Sequence, residues 1–293
     1  MTPRIAIVAP GEMGSGIGRR LVQSGLTVLT SLAGRSGQSA TRAARAGLVD
    51  ADDDALAACD VILSIVPPKD ALALAQRLQP ALHRAAGKPV YVDCNAVSPV
   101  SVAEIAAIVS ATGTGFVDAG IIGPPPSDNP RAATTIYASG PAAPAFAKLN
   151  AFGLSIRLLD APIGAASALK MAYAGLTKGF TALGAAMMLA ASEAQVADAL
   201  RRELSESQPH FLAFLERTVP GMFPKAYRWI AEMEEIAAFV ESVPGGEGIY
   251  RGTADLYRHI AARVAAGNDA DPALSALREF CERQARASAE RSA

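Results

Sequence analysis

The first groups in the chain able to do chemistry belong to the backbone. Ala9-Pro10-Gly11-Glu12-Met13-Gly14 lies between an apolar strand, Arg4-Ile5-Ala6-Ile7-Val8, and an amphipathic run from Ser15 to Ser24. A strand, a glycine turn and a helix in that order make a dinucleotide site. Gly11 lets the backbone approach a pyrophosphate, Gly14 lets helix and strand close up, and the unsatisfied N–H groups at the helix start bind phosphate oxygens. Ala9 stands where the first fingerprint glycine belongs, so the letters give only x-x-G-x-x-G and the flanking elements carry the reading. Gly11, Glu12, Met13 and Gly14 are the expected cofactor contacts.

The end of the second strand selects the cofactor. An NAD site places a carboxylate there to accept from the ribose hydroxyls. This chain reads Ser31-Leu32-Ala33-Gly34-Arg35-Ser36, with a guanidinium and no carboxylate. Arg35 suits a ribose 2′-phosphate, so NADP is expected in preference to NAD, with Ser36 and Arg42 as added donors. Lys170, near the start of an apolar helix between Leu169 and Met171, either snorkels from that helix to solvent or is desolvated by it. Burial lowers a lysine pKa towards values useful for a general base.

The elements that must position these residues alternate. Strands are expected at Thr27 to Leu32, Val61 to Val66, Val90 to Asp93, Phe116 to Ile122, Thr134 to Ala138 and Ile156 to Leu159. Helices fall between them at Ser36 to Ala46, Lys69 to Ala85, Pro99 to Ala111 and Ala143 to Phe152. That order predicts an α/β Rossmann-type, doubly wound parallel sheet. Near residue 161 the strand signals stop. From Ala165 to Val196 apolar residues recur at helical spacing, and further helices follow at Ala197 to Glu203, Gln208 to Thr218, Ala226 to Ser242, Thr253 to Ala266 and Ala273 to Ser288. The expected domains are therefore 1–161, binding NAD(P), and 162–293, all-helical and joined by one long helix. Pro244 to Gly248 reads as a loop, Met187 and Met188 read as core, and Asp50, Asp52, Asp53 and Asp54 read as carboxylates preceding a helix start.

Composition narrows the partners. With 27 basic and 28 acidic side chains, bulk charge gives no reason to expect nucleic acid, and no apolar stretch is isolated enough to be a convincing membrane span. Three cysteines without metal-ligand spacing point to reduced thiols and a cytoplasmic location. His83, His210 and His259 are isolated from any motif, and no metal site is expected. A small-molecule substrate fits best.

Five segments in order carry a family resemblance over essentially the whole chain. They are Gly11-Glu12-Met13-Gly14, Ile65-Val66-Pro67, Asp93-Cys94-Asn95 with Pro99, Phe116-Val117-Asp118-Ala119 ending at Gly123, and Gly164 followed six residues later by Lys170. The chain resembles the β-hydroxyacid dehydrogenases, which include 6-phosphogluconate and 3-hydroxyisobutyrate dehydrogenases. The run Arg228-Trp229-Ile230-Ala231-Glu232-Met233-Glu234-Glu235 is similar to a phosphogluconate-dehydrogenase-like subgroup with its own helical C-terminal domain.

The resemblance implies that Lys170 exchanges a proton with the substrate hydroxyl while a hydride passes between substrate and nicotinamide in a cleft between the domains, with no metal needed. It implies cofactor contacts at Val66, Pro67 and Asn95, and a homodimer that buries the helical domain. Two family positions have changed. Ile122 replaces the serine that opens a substrate-binding Ser-Gly-Gly loop, and Ala174 replaces an asparagine four residues after the lysine. Ile122, Gly123, Pro124 and Ala174 are thus expected at the substrate, beside a stiff loop, Pro124 to Pro130, in place of a glycine-rich one. Tyr173 either supplies a replacement donor, sharing proton transfer, or bonds a backbone carbonyl. Lys178 and Thr177 either face the cleft or, as expected for Lys178, lie at the surface. Arg228 and Glu232 read as a helix-surface pair, while the subgroup resemblance brings Glu232 or Glu235 to the substrate pocket.

Three functions remain open at this point. They are a dehydrogenase or reductase on a small hydroxyacid-like substrate, an imine reductase on the same scaffold, and a non-catalytic NADP-binding sensor.

Overall fold

Short apolar runs closed by glycine, proline or a polar residue become the strands of one sheet. The computed structural model describes residues 2–127, 134–267 and 271–290. The first elements are β1 (Ile5–Val8), α1 (Glu12–Gln23), β2 (Val28–Thr30), α2 (Gly37–Arg45), β3 (Val49–Asp50), α3 (Asp53–Ala57) and β4 (Val61–Ser64). They are followed by α4 (Ala71–Arg84), β5 (Val90–Asp93), α5 (Pro99–Ser110), β6 (Gly115–Ile122), β7 (Thr135–Ser139), α6 (Ala143–Ala147) and β8 (Ile156–Leu158).

The eight strands lie in the order β3-β2-β1-β4-β5-β6-β7-β8. Its first six positions follow the order of dinucleotide-binding sheets. These six strands are parallel. One part of the expectation needs correction: β7 runs antiparallel to β6, and β8 runs parallel to β7. A parallel return needs a crossover helix, and the segment that leaves β6 opens with Gly123 and three prolines.

Both faces of the sheet are covered, which explains why its strands read as unbroken apolar runs. Ile5, Ile7, Leu63, Val92 and Val117 pack on one side with Ile17, Leu21 and Phe146. Ala6, Val8, Ile62, Tyr91 and Phe116 pack on the other with Leu74, Leu78 and Ile105. The acidic cluster does structural work, since Asp52 caps α3 while Asp53 and Asp54 pair with Arg77 and Arg84.

The remaining helices are α7 (Ala165–Glu193), α8 (Ala197–Ser207), α9 (Pro209–Met222), α10 (Ala226–Phe239), α11 (Gly246–Ala265) and α12 (Pro272–Glu290). The chain separates into two compact units, Met1–Met171 and Ala172–Ala293. The division falls inside α7, ten residues beyond the break in composition at 161, because the first turns of that helix pack on β6. The stretch read as a loop at 244–248 is another correction. Gly245 turns the chain with φ +79° and α11 starts at Gly246, where a Cβ would lie 2.8 Å from the Val240 carbonyl oxygen.

In the helical unit α7 packs closely on its neighbours. A Cβ at Gly184 would lie 2.4 Å from Leu215, and one at Gly175 would lie 2.8 Å from the Tyr250 hydroxyl. Among the described residues α7 is the one helix long and apolar enough by composition to cross a bilayer, yet 44% of that window is buried in the protein. Met188 is core as expected, but Met187 is 53% exposed and joins an apolar stripe with Leu176, Phe180 and Leu183.

Candidate functional site

The glycine turn is built for close approach. A Cβ on Gly14 would lie 2.3 Å from the Ala9 carbonyl oxygen, so only glycine lets α1 start this close to the end of β1. Gly11 is the N-cap of α1 and has nothing within 4 Å of its Cβ position, which leaves its outer side open to a ligand. Glu12 is exposed and Met13 half-buried on the first turn of the helix. Ser15 follows, 4% exposed, with a hydroxyl that has no hydrogen-bond partner. An open glycine, a helix N-terminus and an unsatisfied hydroxyl together fit a pyrophosphate.

The second expected cofactor region lies at the start of α2. Ser36 caps that helix by accepting from Ser39 N at 3.3 Å, and Arg35 is held in the preceding turn by its N–H to the Leu32 carbonyl at 3.0 Å. Arg42, one turn into α2, donates from Nε to the Pro10 carbonyl at 3.2 Å and from a terminal nitrogen to Ser39 Oγ at 3.2 Å. The structure therefore joins Arg42 directly to the glycine turn. Arg35, Ser36 and Arg42 make a basic, hydroxyl-bearing rim suited to a phosphate monoester.

On the far side of β1, the ends of β4 and β5 are tied together by one amide. Asn95 accepts from Val66 N at 2.7 Å and donates through Nδ2 to Ser64 Oγ at 2.9 Å and Asp93 Oδ2 at 2.8 Å. Both Nδ2 hydrogens are thus committed within the protein, and Asn95 is only 2% exposed. Its side chain fixes the loop that carries Val66 and Pro67; of these two, Pro67 is the exposed one.

Beneath these loops a row of polar side chains crosses the sheet. Ser64, Asp93, Asp118 and Ser139 are register partners on β4, β5, β6 and β7, and all are fully buried. Burial pushes the Asp93 carboxyl up to about 7, against hydrogen bonds from Asn95 that lower it, and the neighbouring Asp118 raises it further. Asp118 is surrounded by donors: Gly164 N at 2.9 Å, Ser167 N at 3.1 Å, Ser167 Oγ at 2.6 Å and Ser139 Oγ at 3.0 Å. Sequence reasoning gave neither acid a role. The available signal was a carboxylate inside an otherwise apolar strand, which has to be paired.

Lys170 sits on the early part of α7 beside β6. Its Nζ donates to the Ile121 carbonyl at 2.5 Å, and its Cβ lies 3.1 Å from the position a Cβ would take on Gly120. The same glycine leaves room for the Ala166 carbonyl, 2.7 Å from that position. A half-buried amine is thereby placed where β6 ends, next to Ile122 and the exposed Gly123 and Pro124. Pro126 packs on α1 at Gly16, 3.1 Å from a Cβ there, and Arg20 donates to the Ser127 carbonyl at 3.2 Å. The prolyl loop is thus pinned to the cofactor-binding helix up to Ser127. Asp128, Asn129 and Pro130, the rest of the expected stiff loop, lie outside the described residues.

The other expected substrate residues belong to the helical unit. Tyr173 is 49% exposed, while Ala174 is 3% exposed and offers no polar atom. The expected surface position of Lys178 is overturned, as is the surface position of Glu232. Lys178 pairs with Glu232, their side chains are 17% and 8% exposed, and the ammonium lies 5.1 Å from the centre of the Trp229 ring. Trp229 meets Tyr257 edge-on at 5.3 Å, and the Tyr257 hydroxyl donates to the Lys178 carbonyl at 2.6 Å. Aromatic cover and a buried counter-charge keep the lysine inside. Glu235 is half-buried.

A phosphate-binding turn at the carboxyl end of a doubly wound sheet, with a lysine beside the same end, defines a nicotinamide-dinucleotide oxidoreductase scaffold. Residues 4–152, just over half of the chain, match the NAD binding domain of 6-phosphogluconate dehydrogenase, and the chain belongs to that family. Residues 191–260 match a domain of unknown function.

The chain is 27% identical over 260 residues to an uncharacterised 28.5 kDa protein encoded in the 7S RNA 5′ region of Methanothermus fervidus, covering 88% of this chain and 98% of that one. Among solved structures it is similar to MTH1747, a conserved protein of unknown function described as structurally similar to 3-hydroxyacid dehydrogenases. The identity is 29% and the TM-score 0.68, with 89% of this chain and 99% of that one covered. The fold is shared with 3-hydroxyisobutyrate dehydrogenase of Mycobacterium tuberculosis, solved with L-serine, at TM-score 0.69 and 17% identity over 90% of this chain and 96% of that one.

Proposed function

We propose that this chain is an NADP-dependent oxidoreductase that moves a hydride between the nicotinamide and the carbinol or carbonyl carbon of a small hydroxyacid-like substrate, with Lys170 as general acid and base. The observation that carries this reading is the seat of Lys170, half-buried and hydrogen-bonded to Ile121 at the end of β6 in a family that binds nicotinamide dinucleotides. When bound, the nicotinamide supplies or accepts the hydride. Gly11, Glu12, Met13, Gly14 and Ser15 hold the pyrophosphate, while Val66, Pro67 and the loop fixed by Asn95 bound the site on the other side of β1. Lys170 Nζ takes the hydroxyl proton in oxidation and returns it in reduction, with Tyr173 as a second donor. Ile122, Gly123 and Pro124 give the substrate an apolar wall in place of a hydroxyl contact.

Three buried, free thiols support a cytoplasmic setting. The stripe of Leu176, Phe180, Leu183 and Met187 on α7, with Ile249 on α11, supports a homodimer through the helical unit.

The test is a panel of hydroxyacids, ketones and imines followed at the absorbance band of the reduced nicotinamide. Turnover of a hydroxyacid or its keto form with NADP supports the proposal. Turnover of imines alone would reassign the chain as an imine reductase, and tight NADP binding with no turnover across the panel would make it a sensor. The cofactor preference has its own check. Arg35→Ala should weaken NADPH by about tenfold or more in a fluorescence titration, since a charged hydrogen-bonding partner of the phosphate is lost. NADH affinity should hardly change, and an unaltered NADPH to NADH ratio would count against the clamp.

A further inference from the structure

We infer that Asp118 is the positioning residue of the site: from the middle of β6 it holds the first turn of α7 and thereby sets where the Lys170 amine sits. This deepens the reading of Lys170 as the acid-base and rests on it.

The first N–H groups of any helix lack intrahelical acceptors. In α7 they are not satisfied by a local capping side chain. Gly164 N and Ser167 N donate to Asp118 Oδ2, Ser167 Oγ donates to Asp118 Oδ1, and Ala166 N donates to Ser139 Oγ, which itself donates to Asp118 Oδ2. The cap therefore comes from two strands, 46 to 49 residues away from the helix through Asp118 and 27 through Ser139. All four contacts on Asp118 are donors, which is the environment of a carboxylate at the positive end of a helix.

The same strand continues the dock. Gly120, two residues on and therefore on the same face, leaves space for the Ala166 carbonyl and the Lys170 Cβ, and Ile121 supplies the carbonyl that receives Nζ. Asp118, Gly120 and Ile121 thus fix the start, the distance and the side-chain end of one helical segment. Shifting the helix start by a fraction of an ångström would move the amine relative to the end of β6, since β6 and α7 meet as rigid elements.

Lys170 can be followed without a substrate. Trace acetic anhydride labels neutral amines, and the acetylated Lys170 peptide of the intact, folded chain can be measured by mass spectrometry against the exposed Lys69 and Lys148 as a function of pH. In the wild type Lys170 should label more slowly than the two references. Asp118→Asn keeps the shape but removes the charge and turns an amide donor towards N–H groups. It should raise relative labelling of Lys170 about tenfold, as a tethering hydrogen bond to a charged group is lost. It should also move the labelling midpoint to lower pH, because a negative charge that favours the ammonium is gone and Asp93 is the only other acid in the row across the strands.

A folded Asp118→Asn protein with wild-type rate and midpoint at Lys170 would overturn the proposal. Should that variant fail to fold, Ser139→Ala decides, since it removes the relay between Asp118 and Ala166 N and leaves the carboxyl group in place. A change in the same direction of about threefold supports the inference, and an unchanged profile overturns it. Labelling reports the placement of Lys170 and not its catalysis, so this inference can fail while the acid-base role stands, and the reverse.

Discussion

Lys170→Ala is expected to lower turnover by about 100-fold or more while NADP affinity stays near the wild-type value. In the proposed site the residue serves the substrate and the cofactor is held by others. The proposed pyrophosphate turn is Gly11 to Ser15, and the proposed phosphate rim is residues 35 to 42 at the start of α2. Lys170 Nζ donates to the Ile121 carbonyl at the end of β6, where the reacting carbon would have to lie to be reached by Nζ. On the proposed mechanism, removing the amine takes away the group that carries the hydroxyl proton and leaves the proposed phosphate contacts in place.

A purely structural lysine would give a different pattern. The Ile121 carbonyl would lose its donor, so the melting temperature would fall and kcat would follow only through loss of folded protein. The discriminating measurement is kcat per folded molecule, with folded fraction taken from circular dichroism and cofactor affinity from titration. Wild-type kcat in a folded Lys170→Ala protein would remove the lysine from the mechanism. A residual rate that rises with added small primary amines would strengthen its role, because the cavity left by the side chain would admit a diffusible acid-base.

What could be read from sequence, and what could not, follows from the range of the interactions. The glycine turn at Gly11 and Gly14 was legible because strand, turn and helix start are one local element. Five of the six parallel strands were legible because their apolar runs are buried on both faces, as Ile5 and Ile7 against Ala6 and Val8 show, whereas β3, two exposed residues, was not. The reversal of β7 was not, since pairing direction depends on what connects the strands and strand residues look the same either way. Lys178 was misplaced for a related reason: its neighbours along α7 say nothing of Glu232, 54 residues later, which with Trp229 makes burial tolerable. The Asp118 cap spans a similar distance, so it could be sensed only as an anomaly in an apolar strand. Ile122 and Ala174 illustrate a further limit. A lost polar contact can be read from the letters, but the chemistry that replaces it cannot.

The stability of this protein is expected to fall as pH rises from about 4 to about 7 and then to level off, with Asp93 as the main cause. Its carboxyl is completely buried, and its hydrogen bonds come from one residue, Asn95, through N at 3.0 Å and Nδ2 at 2.8 Å. Burial outweighs those bonds and raises the folded value from 3.8 to about 7. Between those two values the unfolded chain has already lost the proton that the folded chain keeps. The folded state is therefore favoured by the proton at low pH, and that advantage disappears as pH passes through the folded value. The full span corresponds to on the order of 4 kcal/mol. Asp271, whose carboxyl is held low by the Leu274 N–H first and by Arg263, acts in the opposite sense, and its contribution is lost only as pH drops below the ordinary carboxylate range. The two effects occupy different windows. Asp93→Asn should flatten the slope above pH 4, leaving a variant less stable than wild type at pH 5, where an amide hydrogen now meets the Asn95 donors, but closer to it or more stable at pH 8. Urea midpoints for both proteins at pH 5, 6, 7 and 8 measure this directly. Parallel curves would show that another group sets the slope. A convergence confined to this range would identify Asp93.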